Sequence, residues 1–368
     1  MAHIALIVTG LTGRLHSSFK MASKLKKEGH SITYLCPQDV KKKVETIGFD
    51  YVQLDPINIE IKNAQSNSWF NRCQYHFNNY SKHYETGKKL LGLNKYKNEL
   101  KKLNPDHFII DMELHDLIFT ATSLNIPVTL FTAWFSNRKG SGFKLPPLRT
   151  DIIPGKGIKG SALNIFANWL FIKFKVQARI FVNKLTFKDY RRTTLLVYAK
   201  TNGFPVKTLI PSNLPYLFCY SNLPIISFTL SEMDFPHKRD KNYIYVGPMI
   251  YENRENKFDK KSTEIIDAVI TEKQKTGKKL IYFSASSLIL TEANFINRIL
   301  KAVESNDNWL VIISLGGKLS PEDFKSQQNS YLLSWVPQLK VLEYADCCIT
   351  HAGGNSISEC IHYKVPML

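Results

Sequence analysis

The chain's 368 residues, 44% of them hydrophobic, exceed what one ordinary core organises, so two domains of about 150–200 residues are expected. Its 49 basic and 31 acidic side chains leave a formal charge of +18, which favours anionic partners such as nucleotides or phospholipid surfaces. Zinc-finger spacing, an RRM signature and an Arg-rich arm are all missing from the sequence, so nucleic acid is not an expected partner. Cys36, Cys73, Cys219, Cys347, Cys348 and Cys360 have no metal-ligand spacing and include an adjacent pair ill-suited to bridging itself. A reducing cytoplasm is the expected compartment.

The opening run MAHIALIV leads into a glycine turn and lacks the basic flank and cleavage site of a secretion signal, so it reads as a buried strand over residues 3–8. A helix over 17–28, a strand over 31–35 and a helix over 39–47 follow. This βαβα order predicts a parallel sheet with right-handed crossovers. A polar insert, residues 63–103, separates it from a strand over 107–110, a helix near 116–124 and a strand over 128–131, with Pro105 and Pro127 marking the turns before the strands. Residues 140–160, rich in Gly and Pro, read as a loop.

Residues 162–182 are apolar, aromatic and basic, and Lys173, Lys175, Gln177 and Arg179 interrupt them, which rules out a membrane span. Two readings stay open there: a helix packed on the first domain, roofing a pocket, or an interfacial helix on an anionic membrane. A strand ends in Gly-Pro near residue 248, and charged, turn-rich sequence runs on to Gly277, so a linker is placed here and the domains are read as 1–240 and 241–368. A second series then predicts strands over 279–283, 309–313, 331–333 and 347–350, and helices over 292–304, over 338–344 and from Gly354. The fold class is α/β: two Rossmann-like doubly wound domains facing a cleft, with ligands beyond the carboxyl ends of the strands.

Residues 335–359 concentrate the polar chemistry. Trp335, with Pro337 fixing the chain beyond it, offers a flat face for a base, and Gln338 can hydrogen-bond base or ribose. Gly353 and Gly354 let backbone N–H groups approach a phosphate, while Asn355 and Ser356 open a helix with partial positive charge at its start. His351 can donate to a phosphate oxygen. Glu359 either accepts ribose hydroxyls or merely complements the helix dipole.

Together the segment WVPQLKVLEYADCCITHAGGNSISECIHYKVPML resembles the donor-binding signature of the UDP-glycosyltransferases that glycosylate small lipophilic acceptors. Thinner similarity runs through GHSITYL, NPDHFIID, LNIPVTLFTAW, YIYVGP and KKLIYFSASS, with the bacterial macrolide-, carotenoid- and lipid-modifying branches nearest. The resemblance implies a GT-B fold and inverting transfer of a hexose from a UDP-sugar, the donor substrate, to a hydroxyl of a lipophilic acceptor or lipid, with no separate cofactor. It implies that Trp335 stacks on uracil, that Gln338 and Glu359 bind ribose, that His351, Asn355 and Ser356 hold the diphosphate, and that Ser287 faces the donor. Residence in the cytoplasm, with peripheral contact at the inner face of the membrane, fits this reading.

The sequence departs from the family pattern twice. The family base is a histidine in the glycine loop after the first strand, held by an aspartate that Asp111 matches. In this chain the corresponding loop, residues 10–16, places Arg14 in that slot and His16 two residues on. Arginine keeps its proton and cannot act as a base, so three outcomes stay open: His16 as base with Asp111, His16 as a bystander, or an acceptor needing no histidine. The family also continues beyond the strand containing residues 365–368 into a sugar-binding Asp-Gln or Glu-Gln pair and further helices. The resemblance therefore implies that the second domain is incomplete, and a degenerate, non-catalytic nucleotide-binding protein is the alternative function.

Overall fold

The computed structural model describes residues 1–54, 68–90, 95–133, 146, 150–186, 190–211, 217–233, 241–253, 260–285, 293–317, 319–325 and 328–368. The chain divides into two compact units, Met1–Met249 and Ile250–Leu368.

The first unit contains β1 (His3–Ile7), α1 (Thr12–Lys27), β2 (Ser31–Cys36), α2 (Lys41–Glu45), β3 (Asp50–Gln53), α3 (Trp69–Leu90), α4 (Lys95–Leu103), β4 (His107–Asp111), α5 (His115–Thr122) and β5 (Val128–Thr132). It continues with α6 (Ala162–Leu185), α7 (Tyr190–Thr201), β6 (Leu209–Pro211), β7 (Phe218–Tyr220), β8 (Ile225–Ser227) and β9 (Tyr243–Tyr245). Seven strands form one parallel sheet in the order β3-β2-β1-β4-β5-β8-β9, and β6 and β7 make a separate antiparallel pair. The helix α5 is buried almost all round, with Leu117, Ile118, Phe119 and Ala121 fully so, which is why a segment of eight residues holds a helix.

The second unit contains α8 (Lys260–Thr276), β10 (Lys279–Ser284), α9 (Ala293–Glu304), β11 (Trp309–Ser314), β12 (Ser330–Leu333), α10 (Gln338–Leu342), β13 (Cys347–Thr350) and α11 (Gly354–His362). Its parallel sheet runs β12-β11-β10-β13. The strand β11 shows why both faces carry helices: Leu310 and Ile312 point into the core formed with α8, and Val311 and Ile313 into the one formed with α9. Residues 366–368 extend the sheet beside β13, through Cys348 N–H to Pro366 O at 2.9 Å and Leu368 N–H to Cys348 O at 2.9 Å.

Several expectations need correction. The segment expected to be a linker up to Gly277 contains α8, because Ile266, Val269 and Ile270 recur at helical spacing and are buried. Each contributes about 1.5–3 kcal/mol of burial. The expected glycine loop over 10–16 is mostly helix: α1 begins at Thr12, five residues earlier than read, because Arg14 and Leu15 turn into the core. The polar insert holds α3 and α4, and β3, α7 and the short strands β6 to β8 appear where no regular structure was expected. Most of the expected Gly/Pro-rich loop between residues 140 and 149 lies outside the described residues. No helix among the described residues is long and apolar enough to cross a membrane.

Candidate functional site

Parallel pairing aligns the strand ends of the second sheet. Ser284 of β10 pairs in register with Ser314 of β11 and with Thr350 of β13, and Ser314 with Leu333 of β12. The residues that follow these positions therefore share the carboxyl edge. In the order β12-β11-β10-β13 the chain reverses its direction of winding between β10 and β13. Doubly wound sheets leave a crevice at such a switch point, and α11, entered from β13, starts there.

At this edge Gln338, Ser356 and Glu359 come together. The Gln338 amide donates through Nε2 to Glu359 Oε2 at 2.6 Å and lies 3.4 Å from Ser356 Oγ. Its oxygen accepts from Tyr282 OH at 3.2 Å and Ser284 Oγ at 3.0 Å. Tyr282 and Ser284 are two residues apart on β10 and so face the same side. Burial pushes the Tyr282 phenol up, which keeps it a donor. The amide is thus oriented by bonds at both ends. Glu359 is 2% exposed and takes a charge-assisted bond, the stronger class of such contacts.

Trp335 is 53% exposed and lies against Gly317. A Cβ on Gly317 would fall 2.5 Å from its Nε1 and 2.8 Å from its Cε2, and Gly317 has φ +71°. Only glycine fits beneath this indole. On the other side of the switch point, Ala352 turns the chain with φ +57°, and His351 stands over Gly353, where a Cβ would lie 2.6 Å from its Nε2. Gly353 is the N-cap of α11 and, as a glycine, brings no side chain to cap it, so the first turn of the helix begins with backbone N–H groups beyond the reach of its own carbonyls. This helix start has the partial positive charge and close backbone access that suit an anion. Ser287 lies outside the described residues.

The first sheet has its own switch point, between β1 and β4. Here Asp111, fully buried, accepts from Thr9 Oγ1 at 2.9 Å and from the backbone N–H of Glu113 at 3.2 Å. Its remaining neighbour is the Arg14 guanidinium, with Nε 3.9 Å away, and Arg14 NH2 also bonds Glu113 Oε1 at 2.8 Å. Burial pushes the Asp111 carboxyl up, and Arg14 opposes this. The sequence expectation joined Asp111 to His16; the structure joins it to Arg14 and Thr9. His16 sits half-buried on α1 with its ring 6.3 Å from that of Phe19. The reason is placement: Arg14, two residues earlier on the same helix and so on a different face, is long and cationic and takes the carboxylate.

The sequence reading missed Thr9, Tyr282, Ser284 and Gly317. Three of these had a visible signal: Gly317 in the Gly316-Gly317 pair just after β11, and Tyr282 and Ser284 through their alternation on β10. None of the six cysteines is disulfide-bonded, and no group of three His, Cys, Asp or Glu side chains among the described residues is placed to hold a metal ion.

Comparison with known proteins bears on these two edges. The family model described as UDP-glucoronosyl and UDP-glucosyl transferase matches residues 185–368, half of the chain, including every residue of the second edge. An uncharacterized UDP-glucosyltransferase of Bacillus subtilis, YdhE, is 35% identical over 96 residues, covering 26% of this chain and 24% of that protein. The NDP-glycosyltransferase YjiC of Bacillus licheniformis is 27% identical over 163 residues, covering 43% and 38%. The match thus spans between a quarter and two-fifths of these relatives' lengths. Among solved structures, the kitacinnamycin glycotransferase superposes with a TM-score of 0.64 at 19% identity, covering 100% of this chain and 79% of that one. VinC in complex with dTDP gives 0.58 at 13% identity, covering 99% and 80%. At these identities the structural likeness establishes the fold, that of the GT-B glycosyltransferases. With half of its length matched by the family model, the chain is a member of the UDP-glucuronosyl and UDP-glucosyl transferase family.

Proposed function

We propose that this chain is an inverting glycosyltransferase that moves a hexose from a UDP-sugar to a hydroxyl of a small lipophilic acceptor or lipid. The observation that carries the reading is the Gln338–Glu359–Ser356 network beside the uncapped start of α11, within the segment that the family model matches. In this reading Trp335 stacks on the uracil ring, Gln338 and Glu359 bind the ribose, and His351, Gly353, Gly354, Asn355 and Ser356 hold the diphosphate. Ser287 contributes a further donor contact.

The acceptor hydroxyl gives its proton to a base as its oxygen bonds to the anomeric carbon. The bond from that carbon to the diphosphate oxygen breaks, and UDP leaves with its charge stabilised by the α11 N-terminus and His351. His16 is the proposed base. Asp111 is committed to Arg14 and Thr9, so in this reading Asp111 acts through Arg14 to shape the edge. Family membership favours this enzyme reading over a non-catalytic nucleotide binder. Catalysis in a reducing cytoplasm fits the six cysteines outside disulfides.

The test is UDP release from UDP-glucose with a panel of hydroxylated lipophilic acceptors, wild type against His16→Ala. Turnover that falls at least about 100-fold in the variant supports the assignment. Calorimetric UDP binding with no release for any acceptor would overturn the activity, and full activity in His16→Ala would overturn only the base.

A further inference from the structure

The surface of α6 supports an inference about where the protein works, independent of the transfer reaction. The helix has two apolar sides. One packs inward: Ile165 is 1% exposed, and Trp169, Ile172 and Val176 are half-buried. The other faces solvent. Leu163, Leu170, Phe174, Phe181 and Leu185 follow one another at intervals of seven, four, seven and four residues, the spacing of a single stripe along a helix. All five are exposed, Phe174 by 71%. The stripe is about 33 Å long at 1.5 Å per residue, and Ile158, 90% exposed, stands in the turn just ahead of it.

An apolar stripe of this length on a water-facing surface marks an interaction site. Its borders say with what. On the helical wheel Lys173 and Lys184 flank one side and Lys175 the other; these and Arg179 are exposed, and the helix contains no Asp or Glu. A second copy of the chain would bring eight such cations together without one carboxylate from either helix, which disfavours self-association through this face. A bilayer surface with anionic headgroups matches both features. The stripe enters the boundary between headgroups and acyl chains by about 5–10 Å, and the lysines reach the phosphates.

We propose that α6 is an in-plane anchor that docks the first unit on an anionic membrane surface. Flotation of the 368-residue chain at low salt tests this, with vesicles of phosphatidylcholine alone and with about 30% phosphatidylglycerol added. Wild type should float with the anionic vesicles and far less with the neutral ones. The double variant Phe174→Ser/Phe181→Ser should lose binding by about tenfold or more with an unchanged far-UV circular dichroism spectrum. Because that variant alters a helix surface, Lys173→Glu/Lys184→Glu provides a second readout that keeps the stripe, and it should lose the preference for anionic vesicles. The proposal is overturned if wild type binds neither vesicle, if the Ser variant binds as tightly as wild type, or if the stripe instead proves to mediate a dimer that the Ser variant dissolves in sedimentation velocity.

Discussion

The two sheets present the same topological position and fill it in opposite ways. At the β1/β4 switch point of the first sheet, the chain enters α1 with Arg14 turned inward against Asp111 and Glu113. At the β10/β13 switch point of the second, it enters α11 through Ala352, Gly353 and Gly354, and the helix start is left without a side-chain cap. At the first position a cation and two carboxylates meet one another; at the second the helix opens on a glycine that brings no side chain of its own. The fold supplies a crevice in both cases, and the side chains in the connecting turn determine whether it stays open to an anion.

The comparison predicts that damage to the first edge appears as lost stability and damage to the second as lost affinity. The largest effect is expected from Asp111→Ala, which leaves the Arg14 guanidinium buried beside Glu113 alone. Urea unfolding should show a loss of about 3 kcal/mol, with UDP affinity unchanged. Adding Arg14→Met should recover most of it, since the cost lies in the stranded cation. If Asp111→Ala weakens UDP binding instead, the separation of the two edges fails.

Trp335→Ala should act in the reverse sense. Its half-exposed indole adds little to folding, so melting should be unchanged while UDP affinity falls by about 1–3 kcal/mol, read by calorimetry. Equal UDP binding by the variant would remove Trp335 from the site.

The smallest effect concerns a carboxylate of the second unit that contrasts with Asp111. Asp346 joins Lys273 Nζ at 2.5 Å, Lys279 Nζ at 3.4 Å and the Leu280 N–H at 2.8 Å, tying α8 to β10. Partial burial pushes this carboxyl up, but the two lysines and the N–H more than offset it and hold it below the usual range. A lowered folded value means that the stabilisation is complete above the unfolded value of about 3.9 and fades as pH falls through the folded one. Asp346→Asn should therefore cost about 1 kcal/mol at pH 7, discounted for its partial exposure, and progressively less in acid as pH falls through the lowered folded value. A difference that persists unchanged in acid would show that the charge is not its source.

The second sheet was readable almost strand by strand, because its strands are short β-branched runs divided by Gly, Pro and polar turns, as in 309–314. The helix α8 was hidden by its own solvent face: Lys, Ser, Thr and Glu residues before Ile266 and Thr, Glu, Lys and Gln residues after Ile270 give the segment the look of a linker. The early start of α1 was hidden by Thr12 and Gly13, both weak helix formers. The Arg14–Glu113 bond joins residues 99 positions apart, and no local pattern reports which carboxylate a buried guanidinium selects. The stripe on α6 was visible as composition, but which of its two apolar sides faces water depends on what packs against Ile165, and that is a property of the folded chain.

Gly317 has one more consequence, for entropy. An indole that is half exposed ordinarily exchanges among rotamers, and a ligand that stacks on it bears the cost of stopping that motion, about 0.5–1.5 kcal/mol for an immobilised side chain. The Gly317 backbone lies directly against the ring and closes that side to its movement. In the proposed reading, a base that stacks on Trp335 meets a ring already backed by Gly317, and a larger residue at 317 would push that ring aside before the base arrives.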